Sequence, residues 1–556
     1  MQHSEKGGFE LPAPVPQATR KTGVPKWLRY CLTIASFKSQ CAQPDPLFPS
    51  SKNERLEDMY EYLSTKEFRK ESIERHSKAV QIPTQSYDDM GAVGEDSRWD
   101  VMFDFQKYLK ETFPKVHKHL NPEVVNTHGL LYTYEGSDKS LKPLLLMAHQ
   151  DVVPVPNATI DAWTHPPFSG HYDGTFIWGR GASDCKNQLV AIMEAMELFV
   201  EAGFEPKRTI VLSFGFDEEI SGGRGAKNLA AFLFKRYGKD GLAALVDEGS
   251  QFQKAWGSTF APVGSGEKGY TDVHITVRMP GGHSSVPVAH TSIGVLSELI
   301  TKIEAEQYPT YLTDDNPYYG QLKCGAAHSP DFPDKLKELL GSHKSRTCKA
   351  KPDHLALEAA KQGRRIQYLM QTSQAVDVID GGVKTNALPE RVSVTINHRI
   401  NIGDKPETVW KRITALSKEV AEKHDLDLHA FDGVEEKPNS ISLWASPGSL
   451  QVAPVTPTNL DKNTPFRVLA GSTRAVYGEE IIVSPGMTTG NTDTRYYWDL
   501  TKHIFRFGPG YDPEFDSGNL NNIHTVDEHV SVANHIGMVK WFTTFVRNMD
   551  AADLED

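Results

Sequence analysis

Residues 144–151 read LLLMAHQD, an apolar run that ends in a histidine and an acid. A short continuous apolar run predicts a strand that is buried on both faces, as in the sheet of an α/β protein. Residues 210–216 and 242–246 repeat the pattern, and each run leads directly into acidic residues. Since functional sites of open α/β sheets lie beyond the carboxyl ends of the strands, these polar groups are expected to meet in one crevice.

The chain changes its pattern after residue 269. Residues 272–279 alternate between apolar and polar side chains, which predicts a half-exposed strand. Further predicted elements are strands at 375–379 and 392–400 and helices at 293–306 and 407–424. The predicted fold class is therefore α/β, with a mixed central sheet flanked by helices and an inserted α+β domain with an open-faced sheet.

These patterns divide the chain into parts. Residues 1–51 are rich in Pro, Gly, Lys and Ser without periodicity, and we interpret them as a mostly disordered leader. Residues 52–268 and 436–556 are assigned to the larger domain. Residues 269–435 are assigned to the inserted domain, which contains a polar insertion at 308–364.

Composition narrows the function classes. The 556 residues carry a formal net charge of −12, with 24% charged and 39% hydrophobic residues, as in an ordinary globular protein. No basic stripe with interleaved aromatic residues stands out, so a nucleic acid partner is not expected. Residues 27–37 are too short an apolar stretch to span a bilayer, which takes about 20 residues. One glycosylation sequon, Asn157-Ala158-Thr159, is weak evidence for secretion by itself.

The five cysteines form no C-x-x-C pair, so neither a zinc ribbon nor a thioredoxin-like site is indicated. Cys324 and Cys348 bracket a Lys-rich segment. Two readings remain open for them: a disulfide formed in an oxidising compartment, or two unlinked thiols.

The polar residues fit the chemistry of amide hydrolysis. That reaction needs a strong nucleophile and stabilisation of charge on the carbonyl oxygen, and a pair of metal ions supplies both. Such a site uses imidazole and carboxylate ligands, a bridging carboxylate, and an unligated carboxylate that accepts a proton. The residues that match this inventory are His149, Asp184, Glu219, Asp247 and His524, with Glu218 as the spare acid and Asp151 as the acid that orients His149.

Competing motifs fit less well. The chain has neither a G-x-S-x-G elbow nor an H-E-x-x-H helix. Residues 264–269 match G-x-G-x-x-G, but a predicted strand follows them, so no helix N-terminus is offered to phosphates.

The motifs together resemble the di-zinc aminoacylase and carboxypeptidase family, most closely the carboxypeptidase S group of fungi. The resemblance runs from about residue 40 to the C-terminus. The stretches that carry it are residues 147–154, 163–168, 179–186, 217–219, 281–285 and 490–493.

This resemblance implies a role for each ligand. Asp184 would bridge two zinc ions, with cobalt or manganese as substitutes. His149 and Asp247 would hold one ion, and Glu219 and His524 the other. Glu218 would act as the general base and proton shuttle. The peptide bond Asp184–Cys185 would be cis, as it is in the family.

The resemblance also implies how substrate is held. The inserted domain would act as a lid and, in some relatives, as a dimerisation surface. His283 would stabilise the oxyanion, while Asn386 and Arg399 would hold the substrate from the lid. Gly490 and Asn491 would cradle the same end of the substrate. For Arg399 the alternative is an ordinary residue of a surface strand.

The expected function is that of a carboxypeptidase acting on short peptides, including those with glycine next to the C-terminal residue. One alternative is an N-acyl amino acid amidohydrolase or condensing enzyme with the same site, and another is a non-catalytic peptide-binding protein. By resemblance a homodimer and the vacuole lumen are expected. Relatives in that group have an N-terminal membrane anchor that this sequence lacks, which leaves the cytoplasm as the alternative location.

Overall fold

The structure is a computed structural model that describes residues 40–50, 53–343, 352–433, 436–460, 462–515 and 522–555. Most of the predicted leader, together with Cys31 and Cys348, lies outside these ranges. No helix within them is long and apolar enough to cross a membrane.

The described residues form fourteen helices and nineteen strands. The helices are α1 Glu54–Tyr62, α2 Lys66–Val80, α3 Val101–Thr112, α4 Pro114–His119, α5 Lys186–Glu201, α6 Ala226–Tyr237, α7 Ser292–Ala305, α8 Pro317–His328, α9 Asp334–Ser342, α10 His354–Ala360, α11 Arg364–Gln367, α12 Pro406–His424, α13 Pro465–Tyr477 and α14 Val532–Ala551. Short 3-10 turns occupy Ser97–Asp100, Asn157–Ala162, Glu218–Ile220 and Asp493–Tyr496. The strands are β1 Asn121–Val125, β2 Gly129–Tyr134, β3 Leu144–His149, β4 His171–Tyr172, β5 Phe176–Trp178, β6 Ile210–Gly215, β7 Ala244–Ser250, β8 Gln253–Ala255, β9 Ser258–Glu267, β10 Gly269–Arg278, β11 Gly282–His283, β12 Ala375–Gly381, β13 Ala387–Leu388, β14 Arg391–Ile400, β15 Asp427–Ala430, β16 Ser440–Ala445, β17 Ile482–Thr488, β18 Ile504–Phe507 and β19 His529–Ser531.

The larger domain is built on a mixed sheet with the strand order β1-β2-β6-β3-β7-β18-β9-β17, and β8 pairs with β9. The central strands β6, β3, β7 and β18 run parallel. Alternate residues of β3 pack on opposite faces: Leu144 and Leu146 join one core, and Leu145 and Met147 join the other. Because helices cover both faces, the strand is apolar throughout, as the sequence predicts.

Different helices cover the two faces of the central sheet. Helices α5, α13 and α14 cover one face of the sheet, with large buried residues such as Phe199 and Trp541. Helix α6 covers the other face through Leu229 and Leu233. Helix α5 ends before Gly203, which has a φ of +68°, a conformation that glycine adopts readily.

The smaller domain is a sheet of order β12-β14-β10-β16-β15. Helices α7 and α12 pack on one face of it, where Val273, Ile275 and Val277 of β10 point inward. The open-faced α+β arrangement is as predicted. Its boundary is not, because β16 at Ser440–Ala445 pairs with β10 and the domain therefore extends beyond the predicted residue 435.

Within the predicted polar insertion, the described residues 308–343 and 352–364 are largely helical and have their own core. Buried residues of α8, α9 and α10 pack together with Ile402 and Met487. Helix α8 approaches strand β17 so closely that a β-carbon on Gly320 would lie 2.9 Å from Pro485. These helices were not predicted from the sequence, because the segment contains many charged side chains among its apolar residues.

Residues 40–50, which the sequence analysis placed in the disordered leader, lie along the larger domain. The Gln43 side chain donates to the carbonyl oxygen of Val483 at 3.0 Å and accepts from its amide at 2.9 Å. Cys41 forms a disulfide with Cys324 of α8. Both readings left open for Cys324 are therefore wrong, because this cysteine is bonded to Cys41 and is neither paired with Cys348 nor an unlinked thiol.

Replacing Cys324 with serine is expected to lower the free energy of unfolding by about 2–4 kcal/mol. The reason is that the disulfide joins cysteines separated by 283 residues and so restricts the unfolded chain strongly. The loss is measured by thermal denaturation under non-oxidising and oxidising conditions.

Cys41→Ser is the matched variant, and Cys41→Ser/Cys324→Ser should be no less stable than either single variant. Single variants that melt at the wild-type temperature would show that this bond does not stabilise the fold.

Candidate metal centre

Asp184 stands between two groups of side chains. Its Oδ1 lies 3.2 Å from His149 Nε2, and its Oδ2 lies 3.0 Å from His524 Nε2. The Nε2 atom of His149 is also 3.4 Å from Glu248 Oε1, and that of His524 is 3.1 Å from Glu219 Oε2. Each oxygen of one carboxylate therefore serves a separate cluster of one histidine and one glutamate.

The acid beside His149 is Glu248 and not the predicted Asp247. The two residues are neighbours at the end of β7, where successive side chains point in opposite directions. Only one of them can face the crevice. Asp247 is buried, its Oδ2 has no hydrogen-bond partner among the described residues, and burial raises its pKa to about 7.

Asp151 fixes the orientation of His149, as predicted from its spacing. The imidazole Nδ1 lies 2.9 Å from the backbone oxygen of Asp151 and 3.3 Å from its carboxylate. If Nδ1 carries the proton, Nε2 is left free to face Asp184 and Glu248. The same carboxylate accepts the Ser86 hydroxyl at 2.7 Å and the amides of Glu218 and Glu219 at 3.0 and 3.1 Å. It thereby joins the ends of β3 and β6.

Glu528 holds the turn that carries Asp184. Its buried carboxylate accepts hydrogen bonds from the backbone amides of Ser183 and Asp184 at 2.9 and 3.1 Å. Arg180 pairs with it at 2.6 Å. The peptide bond Asp184–Cys185 is cis, as the resemblance implied. The buried Cys185 sulfur accepts from the His149 amide at 3.2 Å, a contact of the scaffold.

The loop that supplies His524 is attached on the other side of the crevice. His524 has a φ of +62°, and its side chain is about half exposed. Three residues later, the Asp527 carboxylate accepts the amide of Thr164 at 2.6 Å and its hydroxyl at 2.8 Å. The pair Asp527 and Glu528 thus ties the histidine loop to two neighbouring loops.

Glu218 begins a 3-10 turn directly after the strand that leads to Glu219. Its pKa is raised well above the ordinary value, first by burial and then by the charge of Glu248. The Glu218 side chain has no histidine partner among the described hydrogen bonds and ion pairs, and its backbone amide donates to Asp151 Oδ1 at 3.0 Å.

The residues present suit a pair of divalent cations. Burial and the charge of Asp184 raise the pKa of Glu219 to about 7 and that of Glu248 to about 8. Hydrogen bonds to Asp184 and Glu219 raise the pKa of His524 to about 10. Glu219 Oε1 is buried without a partner among the described residues. So many acids in one crevice call for positive charge, and nitrogen and oxygen donors suit zinc, cobalt or manganese.

A second group of predicted residues meets where the two domains face each other. Arg399 of β14 donates to Asn491 Oδ1 at 3.1 Å and lies over the Tyr270 ring at 4.9 Å. Asn491 in turn donates to the backbone oxygen of Lys268 at 2.6 Å. Gly490 is exposed beside Asn491, with open space where a β-carbon would stand. Arg399 of the smaller domain thus contacts a loop of the larger domain.

Arg495 adds a second guanidinium that the sequence analysis missed. Burial lowers the pKa of Arg399, and the charge of Arg495 acts in the same direction. Arg495 is fixed by a 3.0 Å hydrogen bond from Nε to the backbone oxygen of Thr492. Neither arginine has an acidic partner among the described salt bridges, so the pair is available to an anion.

His283 and Asn386 lie together in the smaller domain. Both are exposed at the two-stranded sheet formed by β11 and β13, where the Ser284 amide donates to the Asn386 backbone oxygen at 3.3 Å. The His283 Nδ1 accepts from the Ser285 amide at 3.1 Å. The structure thus joins these two predicted residues to each other and not to Asp184.

Known proteins are similar to this chain over most of its length. The profile of peptidase family M20/M25/M40 matches residues 145–548. Carboxypeptidase S of Saccharomyces cerevisiae is 41% identical over 530 residues, 92% of this chain and 89% of that protein. The mouse N-fatty-acyl-amino acid synthase/hydrolase PM20D1 is 34% identical over 483 residues, 85% of this chain and 86% of that protein.

The fold has the same relatives. A structure of an M20 family metallo-carboxypeptidase from Sulfolobus solfataricus superposes with a TM-score of 0.60 at 18% identity, covering 86% of this chain and 99% of that one. These matches confirm the predicted resemblance, the predicted fold class and the predicted class of enzyme, a hydrolase with metallopeptidase activity. The chain belongs to peptidase family M20/M25/M40.

Proposed function

We propose that the protein is a carboxypeptidase that hydrolyses the C-terminal peptide bond of short peptides, including those with glycine before the last residue. The observation that carries the proposal is the sharing of Asp184 between two histidine and glutamate clusters, with Glu218 as an uncommitted acid beside them. The unpaired guanidiniums at the domain interface supply the specificity for a free carboxylate.

We propose two zinc ions as the cofactor, with cobalt or manganese as substitutes. His149 and Glu248 would hold one ion, His524 and Glu219 the other, and Asp184 would contact both. Glu248 takes the role that the resemblance gave to Asp247. When bound, such a pair of ions makes water more acidic and polarises the carbonyl of the scissile bond.

Glu218 would perform the proton transfers. It accepts a proton as water adds to the peptide carbonyl and delivers that proton to the nitrogen of the departing amino acid. Asp151, by accepting the backbone amides of Glu218 and Glu219, keeps this turn at the edge of the crevice.

Arg399, Asn491 and Arg495 would grip the carboxylate of the substrate. A guanidinium offers paired donors that match a carboxylate, and a second cation strengthens the attraction. Asn491 holds Arg399 in place, and the exposed backbone at Gly490 leaves room for the end of the peptide. A peptide bound here spans the interface between the two domains.

His283 and Asn386 would complete the site from the lid. Because both residues are exposed, they would reach the substrate carbonyl through closure of the lid or from a second subunit, and a homodimer through the smaller domain would provide the latter. The imidazole would then donate a hydrogen bond to the oxyanion.

A second candidate function is hydrolysis or synthesis of N-acyl amino acids. The 34% identity to the mouse N-fatty-acyl-amino acid synthase/hydrolase favours it, and the same carboxylate grip serves both classes of substrate. Purified zinc-loaded protein would be given blocked dipeptides and N-fatty-acyl amino acids in parallel. A higher kcat/KM for the dipeptides supports the first function, and a higher value for the acyl amino acids supports the second.

We propose the vacuole lumen as the location. The disulfide between Cys41 and Cys324 supports an oxidising route for the chain rather than the cytoplasm.

Glu218→Gln is expected to lower kcat by about 10²–10⁴-fold while both ions remain bound, because only the proton acceptor is lost. Turnover of a blocked dipeptide and elemental analysis of the same sample provide the measurement. A variant with wild-type turnover would remove the proposed base.

Glu248→Ala is expected to lose one of the two ions after dialysis, since a direct ligand is removed. Asp247→Asn is the matched control: it keeps both ions, with affinity reduced by at most about 10–100-fold, as for a supporting residue. The ratio of metal to protein is measured by elemental analysis. The reverse pattern, with loss only in the Asp247 variant, would restore the ligand expected from the sequence.

Arg399→Ala is expected to reduce kcat/KM about 10–100-fold for peptides with a free C-terminus, the value of a lost charged hydrogen bond. C-terminally amidated peptides should be affected far less, because they lack the charge that Arg399 recognises. The comparison of the two substrates in wild type and variant is the measurement. Equal losses on both substrates would assign Arg399 a structural role.

A further inference from the structure

The disulfide between Cys41 and Cys324 indicates that this chain folds in an oxidising compartment. Both cysteines are buried, in a small cluster with Phe260 and Ile482. The free cysteine among the described residues, Cys185, is buried beside the metal cluster. A disulfide between cysteines this distant in sequence is typical of chains that fold in an oxidising compartment.

The sequon Asn157-Ala158-Thr159 gains significance from that observation. Asn157 is the first residue of the 3-10 turn Asn157–Ala162 and is exposed. The Thr159 hydroxyl donates to the backbone oxygen of Pro156 at 2.8 Å, a contact that fixes the start of the turn, where Asn157 is exposed. N-linked sugar is added to the chain before it folds, so the folded protein must keep the asparagine open to solvent. This fold meets that requirement.

An apolar hollow adjoins the same asparagine. The cavity measures about 370 Å³, and its walls include Asn157, Ile160, Pro167 and Phe168. Ile160 is 46% exposed and so presents apolar surface to this hollow. The apolar face of a sugar ring attached to Asn157 is of a size to lie over this hollow.

We infer that Asn157 carries an N-linked oligosaccharide whose first sugar covers the hollow lined by Ile160 and Phe168. In the transfer, the Asn157 amide nitrogen forms a bond to the anomeric carbon of a lipid-pyrophosphate-linked oligosaccharide. The bond from that carbon to the pyrophosphate oxygen breaks, the lipid pyrophosphate leaves with the electron pair, and an amide proton passes to a base. No oxidant or reductant takes part.

The loop that bears Asn157 is attached at both ends to the scaffold of the candidate metal centre. Asp151 precedes it, with its carboxylate bound to Ser86, and Thr164 follows it, bound to Asp527. The oligosaccharide is therefore presented on a loop of fixed position, and its presence does not depend on the proposed peptidase activity.

The test is peptide mapping by mass spectrometry of the full-length chain produced in a fungal host, with and without peptide N-glycosidase. Four proteins are compared: wild type, Asn157→Gln, Thr159→Ala and Thr159→Ser. The wild type and Thr159→Ser should carry one oligosaccharide at Asn157, removed by the glycosidase with conversion of Asn157 to aspartate. Asn157→Gln and Thr159→Ala should lack it.

Unmodified Asn157 in the wild-type chain overturns the inference, whatever the state of its cysteines. Modification that persists in Thr159→Ala would overturn it as well, because the sugar would then not depend on the sequon. A non-reducing digest of the same samples is expected to contain the linked peptides of Cys41 and Cys324. Turnover of a blocked dipeptide is assayed separately, so failure of the proposed function and failure of this inference are distinguishable.

Discussion

The structure depends on one electrostatic constraint, the confinement of several acids around Asp184 in a single crevice. Asp184, Glu219 and Glu248 lie within a few ångströms of two histidines. The charges of Glu248 and Glu219 add to the effect of burial in raising the pKa of Glu218. Carboxylates that are buried together repel one another, so the arrangement persists only if positive charge lies between them or protons are taken up. Most features of the larger domain can be understood as means of holding these acids in place.

Two further buried acids, Asp151 and Glu528, hold the loops that carry the ligand candidates. Asp151 accepts the amides of the turn after β6, and Glu528 accepts the amides of the turn that carries Asp184. Each of these carboxylates is buried, and each joins segments that are far apart in sequence. A carboxylate that accepts several backbone amides is held rigidly, which fixes the positions of the ligand candidates before any ion binds.

Much of the fold and of the site follows from the sequence. Apolar runs that are buried on both faces identified β3, β6 and β7, and the acid or histidine after each run identified the crevice. The alternation in β10 identified the open face of the smaller domain, because one face of that sheet packs on helices. These patterns involve residues close together in the chain, so they can be recognised from the sequence alone. The site residues Arg399 and Asn491 came from the resemblance and do meet in the structure.

What the sequence left undetermined depends on contacts between distant segments or on small differences of direction. Asp247 and Glu248 end the same strand, and nothing local distinguishes which of them faces His149. Cys324 pairs with Cys41, which is 283 positions away and lies in the segment that composition assigned to a leader. The helices of the insertion carry narrow apolar stripes among many charges, so their core with Ile402 and Met487 appears only once the chain is folded.

The most direct test is anomalous diffraction at the zinc edge from a crystal of the zinc-loaded protein. We expect two peaks about 3.5–4 Å apart, as in other two-metal sites. One should lie beside His149 and Glu248, the other beside His524 and Glu219, and each should be bound to a different oxygen of Asp184. A single peak, or two peaks that do not share Asp184, would contradict it.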